Sequence, residues 1–229
     1  SCGDRCPRPE CGRFRNEVLP RYNRSPVVKS YYESDMAWKL HLLLKKHLEQ
    51  YGIEVITTRT NQNKDLDLFG RGAASKGCDL FLSLHSNAAS SENVDYVVCI
   101  YQVDDNCGPM DAQSMAVAER LADCVAKVMG TEARTWSTQS SKDRDGNGYK
   151  DDYYGVLRGA HSVGTAGVII EHGFHTNKAQ ATWMLHDSNL DKLAEEEAEV
   201  VTDKTSENDP RPQTVRKKIY RNVDERVFG

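Results

Sequence analysis

Residues 78–90 read "CDLFLSLHSNAAS". Leu80 to Leu84 forms a run of buried-strand character, apolar on both faces, as in a parallel sheet covered on each side. The run stops on His85, and Ser86, Asn87, Ala88 and Ala89 follow at once. One explanation is a core strand capped by a histidine. The other is a site at the carboxyl end of a strand, the place where open α/β sheets bind ligands.

The neighbouring sequence favours such a sheet. Met36, Leu40, Leu43, Leu44, His47, Leu48 and Tyr51 recur at helical spacing, with Ser34 as cap and Gly52 as stop. "IEVITTR" (53–59) predicts a strand, "DLDLFGRGAASKG" (65–77) a helix, and "VDYVVCIYQV" (94–103) another strand. A long helix is predicted from Asp111 to Met129, a buried strand at "AGVIIEHGF" (166–174), and a last helix within 178–201. Strands alternating with helices give an α/β class: a single domain with a twisted, mostly parallel sheet sandwiched between helices. Residues 1–21 read as an irregular arm rich in Arg, Pro and Cys, residues 22–202 as the domain, and residues 203–229 as a charged tail.

The bulk composition sets limits. A chain of 229 residues with 38% hydrophobic and 28% charged residues suits one globular domain. A formal charge of −4 argues against nucleic acid as a partner. The sequence has no run long and apolar enough for a membrane span. A start at Ser1 without a leader leaves room for a signal peptide removed beforehand. Cys2, Cys6 and Cys11 crowd the amino terminus without a C-x-x-C pair, so a zinc ribbon is disfavoured and any disulfide pairing stays open. Cys78, Cys99 and Cys124 sit in apolar contexts and read as small core residues.

Three residues carry the chemistry. Glu33 opens the first helix, His85 ends a strand, and Glu171 follows Val168-Ile169-Ile170 near the end of another. A carboxylate and an imidazole are zinc ligands, and a second carboxylate beside a metal can act as a general base. Each also has a bland alternative: a first-turn acid stabilised by the helix dipole for Glu33, a strand cap for His85. Glu171 is harder to dismiss, because a buried carboxylate is costly without a partner.

"YYESDMAWKL", "YGIEVITTR", "GRGAASKGCDLFLSLHSNA" and "YYGVLRG…AGVIIEHGFHTN", in that order, resemble the catalytic domain of zinc-dependent N-acetylmuramoyl-L-alanine amidases of the autolysin type. The resemblance spans roughly residues 22–200 and is most specific in "SLHSNA" and "IIEHGFHTN". It implies a phosphorylase/hydrolase-like α/β fold. It also implies hydrolysis of the amide between N-acetylmuramic acid and L-alanine in bacterial peptidoglycan, with zinc (Zn2+) as cofactor. On this resemblance Glu33 and His85 match metal ligands and Glu171 the catalytic glutamate. Asn87 and His175 are candidate substrate contacts. The implied setting is extracellular, at the cell wall, or a phage endolysin; the implied state is a monomer.

One departure stands out. The family carries a further histidine ligand in a Gly-His-Gly-like turn, and here no histidine precedes His41. In "RFRNEVLPRYNRSP" the equivalent position falls near Val18, which cannot bind metal. The alternative function is therefore a non-enzymatic peptidoglycan binder with a degenerate metal site. The lack of an H-E-x-x-H helix argues against a general zinc peptidase. Strand alternation puts His175 on the side of Glu171 and turns His172 away. "DRDGNGYKDD" (143–152) opens like a calcium loop, but Tyr154 stands where the closing Glu belongs, so a polar surface loop is the competing reading.

Overall fold

The computed structural model describes residues 23–58, 66–103, 108–203 and 218–223. The arm at 1–21, with Val18 and three of the cysteines, lies outside the described residues, as does most of the stretch after Asp203.

In chain order the elements are α1 (Glu33–Gln50), β1 (Glu54–Thr57), α2 (Leu68–Ala73), β2 (Leu80–Asn87), β3 (Tyr96–Tyr101) and α3 (Pro109–Met129). They continue with β4 (Glu132–Trp136), α4 (Gly155–Ser162), β5 (Ala166–Phe174), α5 (Lys178–Trp183), α6 (Asp187–Asp203) and β6 (Lys218–Val223). The strands form one sheet in the order β1-β6-β2-β5-β3-β4. Neighbours run parallel except β3 and β5, which are antiparallel. This is the mostly parallel sheet that the sequence predicts.

Alternation along the strands builds two cores. Leu80, Leu82, Leu84, Val168 and Ile170 face one side, where Leu40, Leu44 and Leu48 of α1, Leu121 and Val125 of α3, and Leu193 and Ala198 of α6 cover them. Phe81, Val98, Ile100 and Ile169 face the other side, under Val156, Leu157 and Ala160 of α4. Every residue from Leu80 to Ser86 is buried, and so is every residue of β5. Both strands are covered on both faces, and their near-continuous apolar character follows from that.

The second layer depends on glycine. α2 and α4 cross so closely that a Cβ at Gly72 would stand 1.9 Å from the carbonyl oxygen of Val156, and one at Gly159 would stand 2.1 Å from that of Phe69. No side chain fits at either position. α2 is shorter than predicted and starts at Leu68, where the Asp67 carboxylate caps the amide of Gly70 at 2.7 Å. α1 has Tyr32 at its cap, and Ser34 lies inside the helix.

The structure departs from the sequence reading in three elements. β4 is an edge strand with Glu132, Ala133 and Arg134 exposed, so it lacks the apolar alternation that marks a strand. α4 is eight residues long and has two glycines at its crossing with α2, so its helix propensity is low. β6 is the largest departure: residues 218–223, read as part of a charged tail, form a parallel strand between β1 and β2. Flanking charge masks this short segment in the sequence.

Candidate active site

The carboxyl ends of β2 and β5 meet at the amino terminus of α1. In the parallel register His85 stands directly across from Glu171. Glu33, the first residue of α1, meets the end of β2. Its Oε1 accepts from His85 Nδ1 at 2.9 Å and from the backbone amide of Ser86 at 3.2 Å. Its Oε2 accepts from the side-chain amide of Asn23, and the backbone carbonyl of Asn23 in turn accepts from the Glu33 N–H. Asn23 holds φ at 51°, a left-handed conformation that asparagine tolerates better than most residues. The Ser83 hydroxyl lies 2.8 Å from His85 Nε2. Since Nδ1 faces a carboxylate, the neutral ring carries its hydrogen there and Nε2 accepts from Ser83.

Glu171 differs from its neighbours. It is 1% exposed, yet neither carboxylate oxygen has a hydrogen-bond partner among the described residues. An unsatisfied buried acceptor costs about 1–3 kcal/mol, more when charged. Burial first, then the charge of Glu33, pushes its carboxyl well above the usual carboxylate range. Two buried carboxylates and one imidazole therefore form a donor set short of positive charge. A divalent cation would relieve the deficit, and nitrogen plus carboxylate oxygen is a set that zinc accepts. Glu33 and His85 are the residues able to hold it. Among the described residues, no third ligand atom joins them to make a group within 4.8 Å; the trio that does is Asp143, Asp145 and Asp151.

That trio occupies the loop read as a calcium site or a polar surface loop. Asp151 is engaged by Arg144 Nη1 at 2.8 Å, and Asp143 caps the amides of Gly146 and Gly148. The loop satisfies itself with its own hydrogen bonds.

The two candidate substrate contacts flank the centre. Asn87 is half-buried, and its side-chain oxygen accepts from the Ala88 amide at 2.7 Å. His175 is 7% exposed, and its Nδ1 donates to the Ser86 carbonyl at 3.1 Å and lies 3.0 Å from the Ser86 hydroxyl. Its ring stacks on Tyr31 with centroids 6.0 Å apart. Burial pulls the His175 imidazole below its ordinary value, against the opposing pull of Glu33 and the Ser86 carbonyl. His172 turns to the other face of the sheet, toward α6.

On the α2–α4 side, a cavity of about 550 Å³ is lined by residues including Phe69, Tyr153, Tyr154 and Arg158. Burial, followed by the charge of Glu171, pushes the Tyr154 phenol up to about 12. The cavity wall is thus within electrostatic reach of Glu171.

The structure brings Glu33, His85 and Glu171 together. It adds residues that the reading passes over: Asn23, Ser83, Ser86 and Tyr154. Ser83 had a detectable signal, as the polar interruption in an otherwise apolar strand on the same face as His85. The others are common residue types in unremarkable contexts.

The model of the N-acetylmuramoyl-L-alanine amidase family matches residues 23–203. No curated protein sequence matches the chain. Among solved structures, the catalytic domain of CwlV, an N-acetylmuramoyl-L-alanine amidase from Bacillus (Paenibacillus) polymyxa var. colistinus, is similar with a TM-score of 0.63 at 17% identity, covering 83% of this chain and 96% of that one. An N-acetylmuramoyl-L-alanine amidase from Clostridium difficile 630 gives 0.65 at 19% identity, covering 82% and 91%. AmiC2 of Nostoc punctiforme gives 0.60 at 18% identity, covering 81% and 93%. At such identities the likeness is one of fold.

Proposed function

This chain belongs to the N-acetylmuramoyl-L-alanine amidase family, and from that premise we propose that it is a zinc-dependent hydrolase of the amide between N-acetylmuramic acid and L-alanine in peptidoglycan. The observation that carries the reading is Glu171: a buried carboxylate with both oxygens unpartnered among the described residues, level with a histidine that is itself paired to a second carboxylate. Such a group is expensive to keep unless it handles protons.

Glu33 and His85 would hold the metal. Zinc, when bound, would supply Lewis acidity toward the amide carbonyl. Glu171 would take a proton from the attacking water and deliver it to the nitrogen of L-alanine as the C–N bond breaks. The products are the lactyl carboxylate and a free amino terminus. A carboxyl raised above its ordinary range suits both halves of that transfer. Asn87, the last residue of β2, and His175, just past β5, would contact the muramoyl peptide. The place of action is the cell wall outside the membrane, or a host wall if the chain is a phage endolysin, and the working unit is a monomer. No helix among the described residues is long and apolar enough to cross a membrane.

A second reading, a peptidoglycan binder without catalysis, is favoured by the finding that the described residues supply two ligands, since catalytic zinc ordinarily has three protein ligands. A defined muramoyl peptide incubated with the zinc-supplemented chain separates the two. Release of peptide with a free L-alanine amino terminus supports the amidase. Retention on sacculi with no released peptide supports the binder.

A further inference from the structure

Peptide 85–86 is gripped at both poles. Its N–H, on Ser86, donates to Glu33 Oε1 at 3.2 Å. Its C=O, on His85, accepts from His172 Nδ1 at 2.9 Å. The two grips come from different elements, and the second falls where the β2–β5 ladder slips.

The ladder runs in step from Leu80 opposite Ala166 to His85 opposite Glu171. It then slips, and the next pair is Asn87 with Phe174. Two steps along β2 face three along β5, so β5 holds one extra residue, a bulge. Gly173 absorbs the distortion with φ at 129°. Where the ladder slips, the side chain of His172 serves the His85 carbonyl. That oxygen can only accept, so Nδ1 carries the hydrogen. The other nitrogen, Nε2, lies 2.7 Å from Glu197 Oε1 on α6, a contact that requires a proton between them. Both residues are 0% exposed. The imidazole is fixed at two points.

Stability alone gives little reason for this arrangement. α6 surrounds Glu197 with Leu193, Ala194, Ala198 and Val201, all buried. An apolar pair of similar volume in such a place is commonly as stable as a buried ionic one, or more so. What an apolar pair cannot do is hold a carbonyl. The peptide plane it would release carries the His85 side chain on one flank and the Glu33 contact on the other.

We propose that His172 and Glu197 are a positioning pair: acting through the His85 carbonyl, they lock peptide 85–86 in the orientation that presents His85 to Glu33 and Glu171. This rests on the amidase reading for its effect on turnover, but not for its effect on the backbone.

The test is the double variant His172→Leu/Glu197→Leu, in which both buried polar groups leave together, beside the single variant His172→Asn, which keeps a side-chain N–H near the carbonyl. In the double variant the melting temperature should equal or exceed that of the wild type. On a soluble muramoyl peptide kcat should fall tenfold or more with KM within twofold, and His172→Asn should recover part of the loss. In the metal-free chain, amide exchange over Ser86–Ala88 should quicken tenfold or more while Leu80–Leu82 stays protected. A folded double variant with wild-type kcat, or unchanged exchange at the strand end, overturns the proposal, as does a double variant that fails to fold. A wild-type chain that cuts no muramoyl amide overturns the amidase reading instead, and the exchange measurement still decides whether the pair holds the peptide.

Discussion

His85 Nδ1 lies 2.9 Å from Glu33 Oε1, a contact that ties the end of β2 to the start of α1 across 52 residues of sequence. Glu33 is both the first-turn acid of its helix and the partner of a strand-end histidine. The helix-dipole reading and the ligand reading of Glu33 are therefore compatible, because the same position serves both.

If the pair holds zinc, His85→Ala and Glu33→Gln should each lower zinc affinity by more than the about 10–100-fold that outer hydrogen-bond partners of a ligand typically cost. Metal content by mass spectrometry, after dialysis against a chelator, gives the reading. The melting temperature of the metal-free His85→Ala chain should change less than its activity does, since the domain has its own core. Unchanged zinc affinity would make His85 a strand cap.

Glu171→Gln should abolish hydrolysis and stabilise the metal-free protein. The folded state raises the Glu171 carboxyl well above its ordinary 4.5, so it binds that proton more tightly than the unfolded chain. The linked stability is present below the unfolded value and is lost as pH rises through the folded one. Glutamine cannot ionise, so at about pH 8 the variant should melt a few degrees higher than the wild type, and below about pH 4 the advantage should vanish. Melting followed by circular dichroism across pH checks this. A wild type that is as stable as the variant at high pH would show that Glu171 carries no buried charge.

Gly159→Ala should destabilise the α2–α4 layer, because the new methyl meets the Phe69 carbonyl at 2.1 Å. Overpacking of this kind costs about 1–3 kcal/mol, and each kcal/mol lowers the melting temperature of a domain this size by about 2–4 °C. A melting temperature equal to the wild type would mean that the two helices part without penalty.

Removing residues 218–229 should destabilise the sheet, since β1 and β2 are joined through β6. Denaturant titration of the truncated chain should give a lower midpoint. An unchanged midpoint would return this segment to the status of a tail.

Legibility in the sequence followed burial. β2 and β5 are covered on both faces and show near-continuous apolar runs, while α1 and α3 show the period of a one-sided helix. Three of those elements, β2, β5 and α1, carry His85, Glu171 and Glu33, so the candidate residues stood out in the sequence. β4 exposes Glu132, Ala133 and Arg134 at the sheet edge, and β6 is short and flanked by charge, so neither shows a pattern. The supports of the centre were hidden for another reason. Asn23 acts through a backbone conformation, Ser86 through its amide, and Glu197 through a helix that arrives from 112 positions after His85. Only tertiary structure brings such groups together.

The most direct test of the central claim is a zinc titration of the metal-free chain, read as the rate of free L-alanine amino termini released from a muramoyl peptide, with His85→Ala alongside. The wild-type rate should climb from near zero and level off. Half-saturation should come at a higher zinc concentration than a three-ligand site would need, because the described residues supply two ligands. His85→Ala should stay near zero over the same range. A wild-type chain that cleaves at full rate without zinc, or a His85→Ala chain that follows the wild-type curve, would contradict a zinc centre built on Glu33 and His85.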